Sequence, residues 1–210
     1  MRILNRLALA LVLTLLGVSA SRGELGPLEP VADLHRAVHE SLGLPEPLIV
    51  QLLEAGTPEE QLPVVGHLSR VLGQPAEHIA ALHRQHVSFL DIALRFGHGA
   101  EIFYVPMAVD PGPPYGKAWG YYKKTPRARW NTIRLTDLEV VDLVNLKLCA
   151  DHYGVGPDRV VTLRRQGKRF DAIHRELAAS TGKHGKPGKG PPGARGQGKD
   201  KHDKKDKDRG

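Results

Sequence analysis

A single cysteine, Cys149, stands in a chain of 210 residues, which excludes an intramolecular disulfide and any cysteine-rich metal site. Long apolar runs are equally scarce. The only one, Leu7 to Leu16, covers ten residues, well short of the roughly 20 that a membrane-spanning helix needs. Catalytic signatures are missing too: there is no HExxH pair, phosphate-binding glycine loop, carboxylate dyad or recognisable nucleophile and base. Enzymatic chemistry therefore has no positive support, and no cofactor is expected. Aromatic residues make up only 5% of the chain and are unevenly placed, with both Trp, four of the five Tyr and Phe103 lying between residues 97 and 135.

The charge is also uneven. The formal net charge is +7, but residues 181–210 hold ten Lys or Arg against four Asp, a net +6. Residues 21–180 hold 18 basic and 19 acidic residues, a net −1, so the basic balance belongs to a tail on a near-neutral body. That tail is Gly, Pro, Lys and Asp with almost no apolar side chain, and the composition predicts a disordered segment suited to weak contact with polyanions. At the other end, Arg2 and Arg6 precede the apolar run, Gly17 and the small-residue site Val18-Ser19-Ala20. This pattern predicts a signal peptide over 1–20 and an exported, periplasmic or secreted product.

Internal repetition is the strongest feature. Gly73, Leu82, Arg84, Gln85, Phe89 and Ile92 return 81 residues later as Gly154, Leu163, Arg165, Gln166, Phe170 and Ile173. Six identities in twenty aligned positions exceed the roughly one expected from composition, so the chain is read as carrying a duplicated unit. A fainter copy sits 30 residues earlier, where Gly43, Pro45, Ile49 and Leu52 match Gly73, Pro75, Ile79 and Leu82. Apolar residues at helical spacing, punctuated by glycine stops and prolines at helix starts, predict a mostly α fold of repeated helix-Gly-helix units. Units 1 and 2 occupy 21–96, and unit 3, packing on them, occupies 136–180. Thr57-Pro58-Glu59-Glu60 and Thr136-Asp137-Leu138-Glu139 both have capping-box spacing, and Pro63 predicts a kink or restart in the helix after the first. Between units 2 and 3 lies a Gly, Pro and aromatic loop at 97–135, expected to be held down by its own rings.

Register assigns roles to individual residues. Cys149 aligns with Leu68 and is expected in the core, as is His174, which aligns with Ala93. His86 occupies the position of Gly56 and Gly167, which predicts a positive φ or a helix end. His78 and His83 align with Arg159 and Arg164, which suggests solvent-facing sites.

Three functional readings compete. The first is a non-enzymatic binding or scaffold protein of the cell envelope. Trp119, Tyr121, Tyr122 and Trp130 would stack on sugar rings, Lys123 and Lys124 would meet anionic groups, and the partners would be anionic polymers or glycans. The second is a periplasmic transition-metal binder using surface histidines, His35 with His39 and His83 with His86, at spacings that place each pair on one helix face. The third is a helix-turn-helix-like nucleic-acid binder, suggested by the short-turn helical triplets. Against it, residues 21–96 hold five basic and ten acidic residues, the wrong sign for phosphate.

Overall fold

The computed structural model describes residues 32–182, which excludes the leader and nearly all of the tail. Among the described residues there are nine α-helices, three 3-10 helices and no strand, so the protein is mostly α. The helices are α1 (Asp33–Leu42), α2 (Glu46–Glu54), α3 (Leu62–Leu72), α4 (Ala76–Arg84), α5 (Phe89–Arg95), α6 (Gly116–Lys124), α7 (Asp137–Tyr153), α8 (Pro157–Arg165) and α9 (Phe170–Thr181). Helix 3-10 turns occupy Glu59–Gln61, Ala100–Phe103 and Arg127–Thr132. No described helix is long and apolar enough to cross a membrane.

The repeat offsets appear directly in these boundaries. Helices α2, α4 and α8 are each nine residues long, and their starts at 46, 76 and 157 differ by the same 30 and 81 residues as the sequence matches. Each is preceded by a left-handed glycine, Gly43, Gly73 or Gly154, with φ of 78°, 64° and 66°. Each is followed by a second left-handed residue, Gly56, His86 or Gly167, at 88°, 64° and 81°. There the chain doubles back, and the amide of the next residue donates to the carbonyl of the repeat leucine. Those bonds are Thr57 to Leu52 at 3.0 Å, Val87 to Leu82 at 3.2 Å and Lys168 to Leu163 at 3.3 Å. His86 thus takes the backbone state of its glycine counterparts, as the register required.

Local signals hold with exceptions. Thr136 makes both halves of a capping box with Glu139 at the start of α7. Thr57 does not: its side chain is buried with no hydrogen-bond partner, and Pro58 stands at the start of the 3-10 helix. The 3-10 helix begins at Glu59 with Pro58 in the N-cap position, so Thr57 stands one residue outside the place from which its hydroxyl could cap. Pro63 lies at the second position of α3, so the chain restarts there after the 3-10 turn. Pro45 and Pro75 cap their helices from just outside rather than entering the first turn.

Helix α7 is the axis of the fold. It packs against α1, α3, α5, α8 and α9 and is buried on nearly every side. Phe89 and Phe170, equivalent in the repeat, are both fully buried. Removing such a ring from water contributes roughly 1.5–3 kcal/mol. Inside this core the Asn145 amide nitrogen donates to the Glu60 and Val141 carbonyls, tying α7 to the first 3-10 turn.

The 97–135 segment is not the structureless loop that its composition suggests, since it contains α6 and two 3-10 turns. Its rings pack on one another. Tyr104, Tyr122 and Trp130 form a trio with centroid separations of 5.2, 4.5 and 5.1 Å. Tyr122 donates to the Ala100 carbonyl at 2.6 Å and Trp130 to the Thr125 carbonyl at 2.9 Å, which satisfies both polar tips. His67 on α3 bonds through Nε2 to the Ile102 carbonyl at 2.9 Å, joining the segment to the helical units. Gly99 has a steric reason to be glycine. A Cβ there would lie 2.7 Å from Asn131 Cα and from a Glu101 carboxylate oxygen, so the two 3-10 turns touch only because that atom is missing.

Candidate binding face

The histidines that suggest metal chemistry are occupied elsewhere. His35 faces Glu59 at 3.0 Å, while His39 Nδ1 is bonded to the Leu44 carbonyl at the end of its own helix. His83 and His86 do not share a helix face, because α4 ends at Arg84 and His86 lies in the left-handed turn beyond it. His83 is not solvent-facing either: its ring stacks on Phe89 at 3.9 Å and its Nδ1 meets the Val87 carbonyl. Arg164, its repeat equivalent, lies over Phe170 at 4.5 Å and donates to the Lys168 carbonyl. A planar, hydrogen-bonding side chain therefore covers the core phenylalanine in both units. Among the described residues no three His, Cys, Asp or Glu side chains are grouped as a metal site.

The second cluster lies in the core between α7 and α9. Cys149 Sγ is 3.3 Å from His174 Nε2, and His174 Nδ1 is 3.0 Å from the Tyr153 hydroxyl. This is the order of a thiol, a base and an orienting group, yet the electrostatics oppose nucleophilic use. Burial pushes the thiol well above its ordinary range, and burial, aided by His152, holds His174 down to about 3. Both groups are neutral at pH 7, and no thiolate forms. His174 is a satisfied core histidine.

What remains is the outer face of the 97–135 segment. Lys123, Lys124, Arg127 and Arg129 are exposed, and among the described residues none of them is paired with a carboxylate. Lys117 sits 3.8 Å from Glu139, and Arg134 folds back onto the Asn131 and Ile133 carbonyls. Trp119 and Tyr121 are half-buried on the same helix, with Lys123 5.8 Å from the first ring and Lys117 5.9 Å from the second. The Trp119 indole N–H is directed to the Met107 carbonyl at 3.3 Å, which orients the ring.

Two of the four aromatic residues read as ligand-stacking platforms are placed otherwise. Tyr122 and Trp130 are 5% and 7% exposed, so their faces serve the aromatic trio and not a ligand. The periodicity of α6 explains the division: positions 118 and 122 turn inward, whereas 117, 121 and 124 fall on the outer side. The sequence marks Arg127 as one of the basic residues of the segment; its guanidinium lies 5.3 Å from the Trp130 ring, and Glu101, Asn131 and His98, which no sequence signal singles out, line the same groove. Only tertiary proximity of the two 3-10 turns brings these residues together. Comparison with protein-family models, with curated proteins and with solved structures yields no match, so the functional reading rests on the geometry of this chain.

Proposed function

We propose that the protein is an exported, non-enzymatic binding module of the cell envelope that holds anionic polymers on the outer face of residues 97–135. The observation that carries this reading is the set of unpaired cations at Lys123, Lys124, Arg127 and Arg129 beside the half-exposed rings of Trp119 and Tyr121. Six basic residues against two acidic ones, Glu101 and Asp110, give the segment a positive balance on a body that is otherwise acidic. Unpaired surface cations supply attraction without a fixed geometry, and flanking rings add contact area to a polymer chain. Envelope placement is supported by the leader pattern at 1–20, and the ten Lys and Arg of residues 181–210 add further weak contacts.

Such attraction is screened over about 8 Å at physiological salt, so binding is weak and salt-sensitive. The test is elution of the full chain from a sulfated-dextran column, compared with the triple variant Lys123→Ala, Lys124→Ala, Arg129→Ala. The variant is expected to elute at clearly lower salt even with the tail intact. Identical elution would remove the face from consideration and leave the tail as the polymer contact.

A further inference from the structure

Cavities on the described surface differ in size. One of about 140 Å³ lies beside His67 and Arg70 and another of about 210 Å³ beside Thr57 and His86. A further one, about 360 Å³, falls in the range of roughly 300–1,000 Å³ in which small-molecule sites occur. It lies between the two 3-10 turns of the 97–135 segment, at the close approach that Gly99 permits.

The chemistry of its lining is mixed. Glu101 uses one carboxylate oxygen to accept from the Gly99 amide at 2.7 Å, which fixes the side chain and leaves the group with further acceptor capacity. Arg127 and Asn131, both exposed, line the same groove, together with His98 and the apolar carbon of Leu94. A groove that carries a carboxylate as well as a guanidinium is a poor cradle for a bare anion, because the acid repels what the base attracts. Acceptors and donors within one groove do suit a ring that bears adjacent hydroxyls, each of which donates one hydrogen bond and accepts another.

We infer that the groove lined by Glu101, Arg127 and Asn131 binds a single saccharide unit, so that the face adds recognition of a sugar to its attraction for polyanions. This deepens the proposed function and rests on it for the contact of the rest of the polymer with Lys123 and Lys124. The bond from the Gly99 amide and the packing of the aromatic trio position Glu101 and Trp130 before any ligand is present, which lowers the ordering cost of binding.

The experiment measures binding of the full chain to three probes: a neutral chitin hexasaccharide, a sulfated heparin hexasaccharide and polyphosphate. Glu101→Gln keeps the acceptor for the Gly99 amide but replaces the second oxygen with a donor, and Asn131→Ala removes the opposing amide. Each is expected to weaken hexasaccharide binding about tenfold, the effect of losing one or two hydrogen bonds, and to leave polyphosphate within twofold. Lys123→Ala with Lys124→Ala is expected to do the reverse for polyphosphate and leave any binding of the neutral sugar unchanged. The inference is overturned if neither hexasaccharide binds, if the groove variants bind like the parent, or if they weaken polyphosphate equally. Should the neutral sugar alone bind, the saccharide groove stands and the polyanion reading fails. Thermal unfolding of each variant, matching the parent, excludes loss of fold as the cause.

Discussion

The basic residues of α8 and α9 and those of the 97–135 segment lie on the same chain and have opposite circumstances. In the third unit, Arg159 pairs with Glu176, Arg164 with the buried Asp142, Lys168 with Glu176, Arg169 with Glu60 and Arg175 with Asp171. In the segment, Lys123, Lys124, Arg127 and Arg129 are in no ion pair among the described residues. The first set is spent within the fold, and only the Arg164 pair among them is substantially buried. Exposed pairs contribute about 0–1 kcal/mol each, so even the paired set mainly neutralises the surface. The lesson is that charge count alone does not mark a binding face. The segment is distinguished by cations left unpaired beside rings held in fixed orientation.

The largest effect belongs to the repeated units, in which the third is set against the second. Phe170→Ala and Phe89→Ala should each lower stability by about 3–5 kcal/mol, since both rings are fully buried and equivalent in the repeat. Denaturant unfolding checks this, and a much smaller loss at one of them would show that the two units are not built alike.

A second measurement uses acid to separate the third unit from the joint with the segment. Burial holds His174 down to about 3 and His67, which bridges to Ile102, down to about 4, both below the ordinary 6.5. For a base with a depressed folded-state value, the unfolded chain takes up the proton first. Stability is therefore full above pH 6.5 and declines as the pH falls, until about pH 4 for His67 and about pH 3 for His174. The slope approaches about 1.4 kcal/mol per pH unit for each histidine. Asp142 shifts upward because burial outweighs the Arg164 charge, which has the opposite sign and offsets part of the loss. Proton NMR of the two imidazoles, with denaturant midpoints between pH 7 and pH 4.5, tests this. Either imidazole titrating near 6.5 would show that it is not shielded as described.

The smallest effect concerns the exposed face. Lys123→Ala and Lys124→Ala should change stability by no more than about 0.5 kcal/mol while altering polymer retention. A larger loss would mean that these side chains support the fold and are not reserved for a partner.

Much of the fold could be read from the sequence because its determinants are local. A left-handed turn favours glycine, a helix start accepts proline, and the 30- and 81-residue offsets carry those requirements from unit to unit. The same logic placed His86 in a positive-φ turn and Cys149 and His174 in the core. It failed where a side chain answered to a distant partner. His83 moved from solvent onto Phe89, and Tyr122 and Trp130 turned from the outer face to one another. The division between paired and unpaired cations lay equally beyond sequence reading, because whether Arg169 meets Glu60 or Lys123 meets no acid depends on which helices are neighbours. The groove at Glu101, Arg127 and Asn131 is of this kind, formed by two turns some 25 residues apart that meet across the missing Cβ of Gly99. Backbone conformation and helical period are short-range properties, fixed by residues a few positions apart and so legible along the chain. Partner choice and surface exposure are long-range ones, fixed when distant helices pack together.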